Sequence, residues 1–178
     1  MSTIKVLDKT FVKFIPHSRI LEAVKKIAGE INRDFEGKDP LFLAILNGAF
    51  MFTGELFQHL SMPCRVSFVK LASYMGTSSA GEVHQLIGLQ ENIAGHSVIV
   101  LEDIVDSGLT IKKLLNHLAS LNPAEIKVAS LFFKPDAYKS DFKIDYLGLS
   151  IPNDFVVGYG LDYNNYGRNY PDLYHLVK

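Results

Sequence analysis

The chain has 178 residues, 48% of them apolar and 21% charged, which suits one folded domain of residues 1–178 and excludes a disordered polar tail. Lys and Arg total 18 against 19 Asp and Glu, a formal net charge of −1, which argues against binding to nucleic acid mainly through bulk positive charge and leaves only a localised patch open. A single cysteine, Cys64, rules out an intrachain disulfide and a thiolate zinc site, and fits a reducing compartment.

Taken in chain order, Met1 to Lys5 carries no apolar stretch with a cleavage site, so no secretory signal is expected. From Ser18 to Asp34, Ile20, Leu21, Val24, Ile27, Ala28 and Ile31 recur at three and four residues and predict a helix capped by Ser18. Leu41 to Leu46 is the longest apolar run, far too short for a membrane span, and reads as a strand buried on both faces. These features predict a cytoplasmic protein with no membrane segment. A helix is expected over about Ala49 to His59, and a strand over Arg65 to Leu71 with Val66, Phe68 and Lys70 on one side.

Ser73 to Leu86 is polar and holds Gly76, Thr77, Ser78, Ser79 and Gly81. A loop of that length in a compact domain is functional or disordered. Ser97 to Leu101 predicts a third buried strand, and Ile111, Leu114, Leu115, Leu118 and Leu121 mark a helix that stops before Pro123. Ile126 to Phe133 and Asp154 to Gly158 read as further strands. Tyr159, Tyr163, Tyr166, Tyr170 and Tyr174 imitate a helical stripe, but Gly160, Gly167 and Pro171 argue for loop and turns. None of the six histidines has metal-ligand spacing. Apolar strands alternating with helices predict an α/β fold, a mostly parallel twisted sheet flanked by helices, with the ligand at the carboxyl ends of the strands.

Chemistry concentrates at one such end. Leu101 is followed by Glu102, Asp103, Ile104, Val105, Asp106, Ser107, Gly108, Leu109 and Thr110, then by the helix. Unpaired N–H groups at the helix start can seat a phosphate. Gly108 lets backbone come close, and Ser107 and Thr110 add hydroxyls. Glu102 and Asp103 suit ribose hydroxyls or a magnesium ion carried by a polyphosphate. Asp106 is placed to accept a proton. A plain helix cap by Asp106 or Ser107 is the competing reading; two adjacent acids directly after an apolar strand weigh against it. The turn is neither a Walker loop nor a dinucleotide fingerprint.

The run Val98 to Thr110 resembles the phosphoribosyl-pyrophosphate loop of the type I phosphoribosyltransferases: four apolar residues, two acids, two variable positions, Asp, then Ser-Gly-x-Thr. Leu46 to Phe50, Leu71 to Tyr74, Val128 to Lys134 and Phe155 to Asn164 resemble further segments of the hypoxanthine-guanine branch, in family order. The resemblance implies the family's fold, with a small hood formed by the terminal segments. It implies transfer of a phosphoribosyl group to a 6-oxopurine, with magnesium and with release of pyrophosphate.

Residue by residue, the resemblance gives Asp106 the catalytic proton transfer at purine N7. Glu102, Asp103, Asp106, Ser107, Gly108, Leu109 and Thr110 would bind the phosphoribosyl group. Lys134, Phe155, Val156 and Asp162 would bind the purine, Lys134 favouring a 6-oxygen because an ammonium donates and cannot accept. Asn47, Gly48, Ser73, Tyr74 and Arg168 would bind pyrophosphate, the last through its planar fork. Glu102, Asp103 and Asp162 would face the metal, and the loop from Ser73 to Leu86 would be a lid that excludes water. Asn47 stands where relatives commonly have Lys, and Leu109 where some have Lys. The family also implies a homodimer or homotetramer. A xanthine-preferring relative and a nucleic-acid-binding regulator that senses phosphoribosyl pyrophosphate are the competing readings.

Overall fold

A computed structural model describes residues 2–72 and 85–177. Two sheets organise it. The chain opens with β1 (Thr3–Val6), β2 (Lys9–Ile15), α1 (His17–Asp34), β3 (Leu41–Leu46) and α2 (Phe50–Phe57). The middle follows as β4 (Arg65–Ala72), β5 (Gln85–Ile87), β6 (Ser97–Val105), α3 (Leu109–Ser120) and β7 (Glu125–Phe133). It closes with β8 (Tyr146–Ser150), β9 (Val156–Val157) and β10 (Leu173–Leu176).

The larger sheet has the order β5-β4-β3-β6-β7-β8 and is parallel except at the β4–β5 pair. Its central strands read as continuous apolar runs because both faces are covered. On one face Phe42, Ala44, Ile99 and Leu101 pack against Ile20, Val24, Ile27 and Ile31 of α1 and Phe52 and Leu56 of α2. On the other, Leu41, Leu43, Val98 and Val100 pack against Ile111, Leu114 and Leu118 of α3. Truncating a fully buried ring such as Phe42 to Ala would cost about 3–5 kcal/mol.

The second sheet, β1-β2-β10-β9, is antiparallel and joins the two ends of the chain into the hood the family resemblance implies. Its own small core holds Val6, Phe11, Val157 and Tyr174. Among the described residues, no helix is long and apolar enough to cross a membrane.

Several expectations are corrected. The helix predicted from Ser18 begins at His17 with Pro16 at the cap position and no side-chain cap. A tertiary partner serves instead: the His17 N–H donates to Asp172 Oδ1 at 2.8 Å, so the cap comes from the far end of the chain. The third strand runs four residues past Leu101, because Glu102, Ile104 and Val105 continue the ladder opposite Ser130, Phe132 and Phe133 of β7. The strand predicted over Asp154 to Gly158 shortens to β9 and belongs to the hood, paired with β10. Val66, Phe68 and Lys70 do share a face of β4, and that face is exposed, while Ser67 and Val69 point inward. The lid reading of Ser73 to Leu86 falls outside the described residues, except that Gln85 and Leu86 lie in β5.

Candidate active site

The carboxyl ends of β3, β6 and β7 lie side by side in the parallel sheet, and each delivers part of the candidate site. The central part lies at the end of β6, where Glu102, Ile104 to Gly108, Thr110 and Ile111 line an open cavity. Gly108 is the N-cap of α3, with a left-handed φ of 76° and no side-chain cap. The Leu109 N–H reaches Ser107 Oγ only at 3.4 Å. Asp106 accepts no capping bond, and its side chain is 55% exposed. The arrangement departs from an ordinary Asp or Ser cap and leaves the first-turn N–H groups of α3 facing the cavity.

Behind Asp106, β7 ends at Phe133 and the next residue, Lys134, is only 7% exposed. Its ammonium donates to Asp106 Oδ2 at 3.2 Å. A buried lysine with a single exposed carboxylate partner is a poor solvated surface residue and a good donor to a ligand oxygen.

Glu102 and Asp103 form the floor. Glu102 Oε2 is buried and finds no hydrogen-bond partner among the described residues. Burial pushes the Glu102 carboxyl well above the ordinary range, and the adjacent Asp103 carboxylate adds to the effect. Asp103 is also buried; its Oδ1 accepts the Ile104 N–H at 2.8 Å. Burial raises it to about 6, offset by backbone N–H groups and the Arg168 guanidinium, with Asp162 adding repulsion.

The third part comes from the loop after β3. A Cβ at Gly48 would fall 1.5 Å from Asp103 Oδ2, and one at Gly160 would fall 2.2 Å from the Gly48 carbonyl oxygen. Gly48 is therefore pressed between the Asp103 carboxylate and the backbone of Gly160. Arg168 closes the group: its guanidinium pairs with Asp162 at 2.5 Å and donates to the Gly160 carbonyl at 2.7 Å. Asp162 also accepts the Asn165 N–H at 2.7 Å.

The structure thus brings Glu102, Asp106, Ser107, Gly108 and Thr110 to one cavity, sets Lys134 against Asp106, and sets Gly48, Asp162 and Arg168 against the neighbouring Asp103. Asn47 and Leu109 are exposed beside it. Val156 is buried in β9, and Phe155 before it is 46% exposed, its ring 6.2 Å from Phe11 and 5.9 Å from Tyr163. An exposed phenyl ring held by two aromatics is a ready stacking surface. Ser73 and Tyr74 lie outside the described residues. The sequence reading passed over the contact of Gly160 with Gly48, and over Tyr138 and Phe142, which lie behind Gly108. The Gly158-Tyr159-Gly160 run was the available signal for the first; no local signal marked the others.

Among the described residues, no three His, Cys, Asp or Glu side chains are placed to hold an ion by themselves. Two adjacent buried carboxylates, one with an unpartnered oxygen, still fit a magnesium ion that arrives on a phosphate-bearing ligand, since magnesium commonly takes one or two carboxylates and completes its shell with phosphate oxygens and water.

A parallel sheet whose central strand carries paired acids and runs into a glycine turn at a helix start has the layout of a nucleotide- or sugar-phosphate-handling α/β enzyme. Comparison makes the class specific. The phosphoribosyl transferase domain family matches residues 15–164. A hypoxanthine-guanine phosphoribosyltransferase of Streptococcus pneumoniae is 37% identical over 158 residues, 88% of this chain and 88% of its own. The crystal structure of a hypoxanthine-guanine phosphoribosyltransferase of Bacillus anthracis superposes with a TM-score of 0.82 at 35% identity, covering 94% of this chain and 97% of the other. A hypoxanthine phosphoribosyl transferase of Trypanosoma cruzi, studied for the role of its C-terminal region in oligomeric state and enzymatic activity, superposes at 0.84 with 30% identity over 98% and 95% of the two chains. The chain belongs to the phosphoribosyltransferase family and, within it, to the hypoxanthine-guanine phosphoribosyltransferases.

Proposed function

We propose that the chain is a purine-salvage transferase: hypoxanthine or guanine and phosphoribosyl pyrophosphate give the purine ribonucleotide and pyrophosphate. The observation that carries this reading is the buried Lys134 ammonium 3.2 Å from Asp106, at the rim of the Gly108 cradle. The 6-oxygen and N7 share one edge of a 6-oxopurine. Lys134 donates to the oxygen, and Asp106 accepts the N7 proton as the N9 electron pair forms the bond to ribose C1 and the bond from C1 to pyrophosphate breaks. Phe155 stacks on the ring, with Val156 and the Asp162 backbone at its edge.

The cradle from Asp106 to Thr110 holds the 5-phosphate. Glu102 and Asp103 face the ribose hydroxyls and, with Asp162, the magnesium. Gly48, the Asn47 backbone and Arg168 meet the pyrophosphate, joined by Ser73 and Tyr74. Magnesium, when bound by these residues, would supply charge neutralisation on the pyrophosphate leaving group. Residues 1–178 act as one domain, in the cytoplasm, with no membrane or nucleic-acid partner, as a homodimer or homotetramer. The exposed Phe50, Val66 and Phe68 give such an assembly an apolar surface to cover, which light scattering would test.

Pyrophosphate release measured with hypoxanthine, guanine, xanthine and adenine in turn tests the reading. Release with the first two, and its loss in excess chelator, is expected. Turnover confined to xanthine would replace the substrate assignment, and full activity in chelator would remove the metal.

A further inference from the structure

The phosphate cradle is a strand-to-helix turn whose outer side faces the cavity. Its inner side is covered by a segment that neither the family motifs nor the roles above include, residues 135–142. A Cβ on Gly108 would lie 2.6 Å from Tyr138 Cε2, 2.9 Å from Ser140 Cβ and 3.0 Å from Phe142 Cε1, so these side chains press directly on the Gly108 backbone. The segment is tied to the cradle on both flanks. The Lys134 N–H donates to the Val105 carbonyl and the Lys139 N–H to the Ser107 carbonyl, each at 3.0 Å. Lys112, in the first turn of α3, pairs with Asp141 at 2.7 Å.

Tyr138 is the keystone of this segment. Its hydroxyl donates to the Phe142 carbonyl at 2.5 Å. Its ring meets Phe142 edge-on at 5.6 Å and Phe133, the last residue of β7, at 5.2 Å. The ring therefore transmits the position of the sheet to the back of Gly108.

We infer that residues 135–142 are a brace that holds the phosphate cradle in its binding shape before ligand arrives, with Tyr138 and Phe142 as positioning residues for phosphoribosyl pyrophosphate. Convergent N–H donors repel one another when no anion is present, and a glycine turn at φ 76° has freedom to relax. Ordering such a turn on binding would subtract from affinity; a turn already held avoids that loss. The brace follows directly on Lys134, so the purine donor and the 5-phosphate seat share one rigid support. This inference rests on the proposed role of the cradle.

The test is magnesium-dependent phosphoribosyl-pyrophosphate binding by calorimetry, with steady-state kinetics, on the full chain. Tyr138→Ala is expected to weaken binding and raise the phosphoribosyl-pyrophosphate KM about tenfold, with kcat and the purine KM moving less than about threefold. Tyr138→Phe, which keeps the ring, should restore most of the affinity. Phe142→Leu keeps apolar bulk but withdraws the ring edge, and should weaken binding about threefold if Tyr138→Ala cannot be recovered folded. Thr110→Ala is the parallel probe of the cradle itself. Loss of affinity in Thr110→Ala with parental binding in folded Tyr138→Ala and Phe142→Leu overturns the brace alone. Parental binding in all three overturns the cradle and the brace together. Equal losses in kcat and in both KM values, unrescued by Tyr138→Phe, would make the segment a general fold element and overturn the inference as well.

Discussion

Lys134 and Asp106 form an ion pair of unequal burial: the lysine side chain is 9% exposed and the carboxylate 55%. The lysine is anchored in protein and the carboxylate stands at the mouth. Under the proposed function, a purine edge entering between them would take the ammonium at its 6-oxygen and offer its N7 proton to the carboxylate, exchanging the pair that forms without ligand for two contacts to one ring. Asp106→Asn should lower kcat by about 10²–10⁴, the range of a general acid–base group. A loss under threefold would withdraw that role. Lys134→Ala should raise the purine KM far more than that of phosphoribosyl pyrophosphate; equal increases would mark the lysine as structural.

The buried acids of the floor predict a trade of stability for function. Burial raises Asp103 to about 6, so its contribution to stability is fully present below pH 3.8, the ordinary value, and is lost as pH rises through 6. The shift corresponds to a loss on the order of 3 kcal/mol. Asp103→Asn should therefore raise the unfolding midpoint of the metal-free protein at pH 7.5 while lowering activity, and its stability should lack the decline between pH 4 and 7 expected of the parent. Urea unfolding across that range checks both. An unchanged slope in the variant would assign the decline to another group, Glu102 first, whose carboxyl is pushed in the same direction.

Legibility in the sequence followed burial and locality. Strands β3, β6 and β7 stood out because both of their faces are covered, which makes them unbroken apolar runs. The hood did not, beyond what family resemblance implied: β2 reads Lys9-Thr10-Phe11-Val12-Lys13-Phe14-Ile15, half exposed, and pairs with β10 at the other end of the chain. The acidic turn was legible because Glu102 to Thr110 is contiguous. The stacking of Gly48 on Asp103, the cap of α1 by Asp172 and the packing of Tyr138 on Gly108 join distant segments, and no local spacing encodes them.

Asp172 pins the hood to the body of the enzyme. It accepts the His17 N–H at the start of α1, the Tyr174 hydroxyl at 3.2 Å and the Lys13 ammonium. Burial alone would raise its carboxyl, but Lys13 and these donors hold it below the ordinary value. Its contribution is therefore present above pH 3.8 and lost as pH falls through the lower folded value. Asp172→Ala should cost about 2–4 kcal/mol at pH 7, through the lost bonds and the unpaired donors. The cost should shrink at pH 2.5, which urea unfolding at the two pH values would show. A variant as stable as the parent at pH 7 would remove Asp172 as the pin.

The contact of Gly48 with Asp103 predicts a pair of substitutions that separate fold from activity. A Cβ on Gly48 would stand 1.5 Å from Asp103 Oδ2 and 2.4 Å from its Cγ. No bond rotation of the new methyl relieves that overlap, because Cβ is fixed to the backbone; either the loop after β3 or the Asp103 carboxylate must move. Gly48→Ala should then destabilise the protein by about 1–3 kcal/mol, as overpacking does, and lower kcat/KM by displacing an acid of the site. Removing the obstacle with Asp103→Ala in the same chain should recover much of the stability lost by Gly48→Ala, a coupling of about 1 kcal/mol or more between touching residues. It should not recover activity, since the carboxylate is gone. Additive stability changes in the double variant would mean that the two segments are not in contact. Recovered activity would mean that Asp103 serves only to shape the loop, leaving Glu102 as the sole acid of the floor that the reaction requires.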